Sequence, residues 1–99
     1  MAIILHILTP EDWSRAQATG GYRGDTLDSD GFIHCCTPAQ LDYVLSTYFP
    51  GHRGLLALHI APERLRADLR WEPSGPDSPY PHIYGALNLD AVVAVQELG

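Results

Sequence analysis

Two histidines occur in the same local sequence pattern, three residues before a Thr-Pro pair. His6 precedes the pair that begins at Thr9, and His34 precedes the pair that begins at Thr37. Thr-Pro is typical of a helix start, where the first backbone N–H groups lack partners within the helix. A histidine at the end of the preceding strand could therefore help to hold an anionic or carbonyl-bearing ligand. The alternative is that each imidazole is a buried polar group bonded to a backbone carbonyl.

The late stretch "YPHIYG" is a further candidate for a binding wall. If it is extended, His82 and Tyr84 lie on the same face. It follows a proline-rich connection over residues 73–81, which is predicted to be a loop over a site. Polar rings at successive positions on one face are typical of a pocket wall that orients a ligand. The alternative is that Tyr84 is an ordinary residue of the packed core. The remaining histidines, His52 and His59, are weaker candidates.

Cys35 and Cys36 are neighbours, and their pattern predicts packing rather than chemistry. Side chains alternate along a strand, so the two sulfurs point to opposite faces and a bridge between them would be strained. The chain has no other cysteine, which favours a reducing, cytoplasmic location. The spacing matches no zinc motif, so no metal site is predicted. A nucleophilic pair of Cys36 with His34 is also disfavoured, because nothing in the sequence lowers the thiol pKa.

The composition predicts one domain over residues 1–99. The 99 residues are 45% hydrophobic, which is sufficient for an ordinary core. A formal net charge of -6 and scattered arginines argue against non-specific nucleic-acid binding, which depends on neutralising many phosphates. The apolar start "MAIILHIL" is too short for a membrane span and lacks the features of a signal peptide, so we expect a buried strand there.

Apolar periodicity predicts an α+β domain of short, antiparallel strands with two main short helices. Strands are expected at residues 3–8, from residue 31, and at residues 55–60, 68–72 and 91–98, with the last inside the sheet. Residues 22–29 are predicted to be an irregular loop. The first helix follows Thr9 and ends at Gly20.

The second helix is predicted by a stronger signal, since Thr37 and Gln40 form the capping-box pattern. Its apolar residues recur at i, i+3, i+4 and i+7, which predicts a stripe that docks the helix on a sheet. The stripe consists of Leu41, Val44, Leu45 and Tyr48.

The phrases "LHI", "GGY", "DGFIHCCTPAQL", "LLALHI", "WEP" and "YPHIYGALNLDAVVAV" together resemble the bacterial domain of unknown function 952 family. The resemblance covers essentially the whole chain, and "GFIHC" and "PHIYG" are its most specific parts. It implies a fold similar to that of ADP-ribosyltransferases, in which a cleft between two small antiparallel sheets grips NAD. That group includes the RNA 2′-phosphotransferases, whose four-basic-residue pattern is not present here.

By this resemblance, His6 binds the nicotinamide or ribose end of NAD, and the pocket is completed by His34, His82 and Tyr84. Transferases of this fold place a glutamate late in the chain to polarise the ribose hydroxyl. Glu72 is the candidate for that role, because the other late glutamate lies near the terminus.

The leading hypothesis is therefore a domain that binds NAD or a related phosphorylated nucleotide. If it is an enzyme, the expected chemistry is transfer or cleavage at the nicotinamide ribose, with His34, Tyr84 and Glu72 as the catalytic set. The alternative is a non-catalytic sensor or binding module that keeps the same pocket. No resident cofactor is implied, since NAD would be a substrate or ligand.

Overall fold

The computed structural model describes residues 2–24, 26–73 and 79–99. The strands in these residues are β1 (Ile4–Leu8), β2 (Gly21–Tyr22), β3 (Ile33–His34), β4 (Leu56–Ile60), β5 (Asp68–Glu72), β6 (Tyr80–Tyr84), β7 (Leu87–Asn88) and β8 (Val92–Glu97). The α-helices are α1 (Pro10–Thr19), α2 (Thr26–Asp30) and α3 (Leu41–Tyr48). Short 3-10 turns lie at Pro38–Gln40, Pro62–Arg64 and Leu89–Ala91.

The described strands form antiparallel sheets, which confirms the predicted α+β class. Two sheets have three strands, in the orders β1-β4-β8 and β3-β6-β5, and β2 pairs with β7. An isolated bridge between Leu5 and Cys36 joins the two larger sheets, with backbone N–O distances of 2.7 and 2.8 Å. This antiparallel bridge brings the middle of β1 next to the segment that follows β3, and it places His6 beside the backbone of His34.

The core lies between the sheets, and β4 and β6 are the central strands of their sheets. Its fully buried aliphatic side chains come mainly from β1, β3, β4 and β6. Burying each such side chain contributes roughly 1.5–3 kcal/mol. They include Ile4, Ile33, Leu58, Ile60, Ile83 and Leu87.

The helix after β1 begins and ends as predicted. Thr9 is the N-cap, and its Oγ1 accepts a hydrogen bond from the backbone N–H of Asp12 at 3.1 Å. Pro10 occupies the first helical position, where its missing N–H costs no hydrogen bond. Gly20 ends the helix in the left-handed conformation, with φ of 85°.

The capping box at Thr37 is also confirmed. The Thr37 hydroxyl accepts from the Gln40 backbone at 3.2 Å, and the Gln40 side chain accepts from the Thr37 backbone at 2.9 Å. These bonds form a 3-10 turn that leads into α3. The apolar stripe of α3 docks only in part, because Leu41 and Val44 pack near Leu5 whereas Tyr48 is 59% exposed.

Three sequence-based predictions of local structure need correction. Residues 22–29 are not an irregular loop, because β2 and α2 occupy most of them. The C-terminal strand β8 lies at the edge of its sheet rather than inside it, and most of its residues are exposed. In the predicted loop over residues 73–81, Tyr80 and Pro81 belong to β6, while residues 74–78 lie outside the described residues.

Candidate functional site

A cavity of about 460 Å³ opens where the two larger sheets meet α3. Much of its wall is apolar and comes from β1, α3 and the segment that follows β3. Polar side chains enter from three strands, namely His6 on β1, His34 on β3 and His82 on β6. The volume lies in the range of small-molecule sites, and an apolar wall with a few convergent polar groups is typical of them.

His6 is held by both of its ring nitrogens. Nδ1 lies 2.6 Å from the carbonyl oxygen of His34, and Nε2 lies 2.8 Å from the hydroxyl of Tyr22. Because a carbonyl only accepts, Nδ1–H donates to it, and Nε2 of the neutral ring accepts the Tyr22 O–H. The backbone of one candidate histidine thus orients the other.

Burial determines the charge state of His6. The side chain is 9% exposed. Burial lowers the pKa of His6 to about 4, against the opposing effect of its hydrogen bond to the His34 carbonyl. At neutral pH the cavity therefore contains an uncharged imidazole at this position. Both ring nitrogens of His6 are hydrogen-bonded within the protein, so the ring can pack against a ligand but has no free donor for it.

His34 lies at the exposed side of the cavity. Its Nε2 is 3.0 Å from Oδ2 of Asp30 at the end of α2, and about half of each side chain is exposed. Phe32 contacts the His34 ring with a centroid separation of 4.6 Å. The rings of Phe32 and His34 therefore lie together, although β3 itself is only two residues long.

The buried ring of His82 belongs to a hydrogen-bonded cluster on the sheet β3-β6-β5. Its Nδ1 lies 2.8 Å from Oε1 of Glu72, and the Tyr84 hydroxyl donates to the same oxygen. These bonds, that of Tyr84 first, lower the pKa of Glu72, so this carboxylate is ionised at neutral pH. The same bond raises the pKa of Tyr84.

Two further residues pack around this cluster. Phe32 stacks on His82, with ring centroids 4.0 Å apart and planes 15° apart. The guanidinium carbon of Arg70 lies 4.4 Å from the Tyr84 ring centroid, a cation–π arrangement. Both contacts restrict the rings to one orientation.

The structure brings three of the predicted binding residues into one cavity, namely His6, His34 and His82. Tyr84 and Glu72 do not line it in the described part of the chain, and they join the site through His82. His52 and His59 also lie outside this lining.

Sequence reasoning missed Tyr22 and Phe32 as parts of the site. Tyr22 lies in a stretch that was interpreted as a loop, and the strand that it ends is only two residues long. Phe32 carries no polar atom, but its alternation with His34 was a usable signal because it predicts a shared face.

A reactive cysteine and a metal site find less support in the structure. Burial raises the pKa of Cys36, which lines the cavity, to about 11, and it also raises the pKa of Cys35, so neither is a ready thiolate. Over residues 2–24, 26–73 and 79–99, no group of three or more His, Cys, Asp or Glu side chains could hold a metal ion. In the same residues no helix is long and apolar enough to cross a membrane.

The charges at the cavity also constrain its ligand. Among the described lining residues, Asp12 is the only acid and there is no Lys or Arg. The first turn of α1 carries both Glu11 and Asp12. An anion bound at that helix start would meet these carboxylates, which disfavours the anion-binding role expected from the Thr-Pro pattern.

Comparison with known proteins places the chain in a structural context. A family model described as "Protein of unknown function (DUF952)" matches residues 7–95. A crystal structure of protein CC0527 from Caulobacter crescentus is similar, with a TM-score of 0.90 and 30% identity over 99% of this chain and 87% of that chain. A solution NMR structure of CC0527 gives a TM-score of 0.83 and 33% identity over 99% and 85%. No curated protein matches the chain.

Proposed function

The chain belongs to the DUF952 family, and we propose that its cavity binds the nucleoside end of NAD or of a related phosphorylated nucleotide. The observation that carries the proposal is the convergence of His6, His34 and His82 from three strands on one cavity of about 460 Å³. An ADP-ribosyltransferase-like fold is part of the proposal. A cavity at the junction of two three-stranded antiparallel sheets supports it.

The electrostatics favour entry of the nicotinamide ring and its ribose rather than the phosphates. The described lining offers no Lys or Arg to a pyrophosphate, and Asp12 would repel one. A pyridinium ring is cationic, and aromatic side chains such as Tyr22, Tyr80 and Phe49 line the cavity. The phosphates would then extend out of the cavity into solvent.

Titration of the labelled protein with NAD, nicotinamide and ADP-ribose, followed by NMR, tests this function. NAD and nicotinamide should shift signals of cavity residues such as Tyr22, Cys36 and Val44, whereas ADP-ribose, which lacks the ring, should shift them less. Absence of shifts at the cavity with all three molecules would refute the proposal.

A variant at His34 separates a binding role from a structural one. We expect His34→Ala to weaken NAD binding at least about 10-fold, a loss of roughly 1.4 kcal/mol. The unfolding free energy should change by less than about 1 kcal/mol, because the contact of the His34 side chain with Asp30 is exposed. His59→Ala, outside the cavity, is the matched control and should bind as the wild type does. A large loss of stability in His34→Ala would indicate a structural role instead.

The same cavity would serve a binding module or an enzyme, and persistence of intact NAD during prolonged incubation would favour the binding module.

A cytoplasmic location also belongs to the proposal. It is supported by the two free, buried cysteines, Cys35 and Cys36, which a reducing compartment would leave unpaired.

A further inference from the structure

The hydrogen bonds of His82 leave one ring nitrogen available. Glu72 is an ionised carboxylate and can only accept, so Nδ1–H of His82 donates to it at 2.8 Å. In the neutral ring, Nε2 is then the unprotonated nitrogen. No described side chain is hydrogen-bonded to Nε2, although the residue is only 6% exposed.

This nitrogen is not sealed from solvent. In the described residues, no side-chain nitrogen or oxygen that is fully buried lacks a hydrogen-bond partner. Nε2 of His82 therefore keeps some solvent contact, and His82 is part of the cavity lining whereas Glu72 is not. His82 thus contacts both a carboxylate and the cavity.

The surrounding sheet holds this arrangement in place. His82 lies on the central strand β6 opposite Arg70 of β5, and Glu72 lies one same-face position further along β5. Phe32 covers the ring of His82 by stacking. The Tyr84 hydroxyl donates a hydrogen bond to the same Glu72 oxygen and so helps to fix the carboxylate. Support of this kind gives an imidazole a defined tautomer and orientation.

We propose that His82 is a general base facing the cavity and that Glu72 is its positioning residue. Nε2 removes a proton from a water molecule while the water oxygen bonds to an electrophilic carbon of the bound molecule. The bond from that carbon to its leaving group breaks, and the leaving group takes the electron pair. For the nucleotide of the proposed function, the carbon is C1′ of the ribose and the leaving group is the nicotinamide ring.

Hydrolysis of 4-nitrophenyl acetate tests this base without depending on the identity of the nucleotide. Its phenyl ring suits the apolar wall, and attack of water on its acyl carbon releases acetate and 4-nitrophenolate. We expect saturable hydrolysis by the wild type and a fall in kcat of about 100-fold in His82→Ala, the usual contribution of a general base. Imidazole in the buffer should restore part of the loss in this variant, after subtraction of the hydrolysis by imidazole alone.

Glu72→Gln should lower kcat about 10-fold with KM unchanged, because it removes the charge that orients His82 without altering the cavity wall. His59→Ala is the control for hydrolysis by histidines elsewhere and should match the wild type. His82→Asn is measured in parallel, with NMR spectra as the test of folding, in case His82→Ala does not fold.

Equal kcat in the wild type and in the folded His82 variants would overturn the inference. A loss that imidazole does not restore in folded His82→Ala would do the same, since it indicates a structural role. The inference shares its cavity with the proposed function, but the two can fail separately. If NAD shifts the cavity signals but hydrolysis does not depend on His82, only the binding function is retained. If hydrolysis depends on His82 but NAD causes no shifts, only the general base is retained.

Discussion

Acid is expected to weaken the fold through His6, whose imidazole is buried uncharged between the His34 carbonyl and the Tyr22 hydroxyl. Burial lowers the pKa of His6 from 6.5 to about 4 in the folded protein. As the pH falls below 6.5, the unfolded chain takes up a proton at this residue and the folded protein does not. Proton uptake therefore favours unfolding until the pH reaches about 4, where the folded protein is protonated as well.

The magnitude follows from the gap of about 2.5 pH units between the two pKa values of His6. Each unit corresponds to 1.36 kcal/mol, so the contribution amounts to roughly 3 kcal/mol. It is fully present above pH 6.5, declines between pH 6.5 and 4, and is absent below that. A domain of this size has a total stability of roughly 5–15 kcal/mol, so the loss is a substantial part of it.

Urea unfolding at a series of pH values between 7.5 and 4, followed by tryptophan fluorescence, measures this effect. The free energy of unfolding of the wild type should fall by roughly 3 kcal/mol more than that of His6→Gln over this range, because glutamine does not titrate. The effect of the carboxylates is common to both proteins and cancels in the difference. His59→Gln should follow the wild type. Parallel curves for the wild type and His6→Gln, or a pKa of His6 near 6.5 in an NMR titration, would refute the reasoning.

Three further predictions concern stability and are measured by urea unfolding. Thr37→Ala should lower the free energy of unfolding by about 1 kcal/mol, because the capping box is lost. Thr47→Ala, in the exposed part of α3, is the control and should lower it less. Equal losses in the two variants would contradict a capping role. Leu58→Ala should cost roughly 2–5 kcal/mol, because the side chain is fully buried on a central strand. Gly85→Ala should cost roughly 1–3 kcal/mol, since a Cβ would lie 2.8 Å from Cβ of Ala67. Ala67→Gly should recover part of that loss in the double variant, and additive effects would argue against this contact.

Local signals were sufficient for several elements of the fold. Thr9 and Thr37 cap their helical segments through hydrogen bonds that reach only three residues along the chain. Such bonds depend on residue type and short spacing, which the sequence displays directly. His6 and His34, which share a position before a Thr-Pro pair, also line one cavity, because the antiparallel Leu5–Cys36 bridge brings the two histidines together.

Longer-range features were not predictable in the same way. The apolar, β-branched composition of β8 suggested an interior strand, but alternation and composition do not specify the order of strands in a sheet. Tyr22 contacts His6 across 16 positions of sequence, from a strand of only two residues. No periodicity is measurable over so short a strand, and the stretch was therefore interpreted as a loop.

The sequence by itself determined the α+β class, the helix starts and three of the histidines that line the cavity, because these depend on neighbouring residues and on side-chain periodicity. Only the tertiary structure decided what each histidine does there. His6 is neutral because it is buried, and His82 donates through Nδ1 because strand register places Glu72 beside that nitrogen. Burial and cross-strand register arise from the packing of distant segments, so the charge and availability of these rings cannot be derived from local pattern.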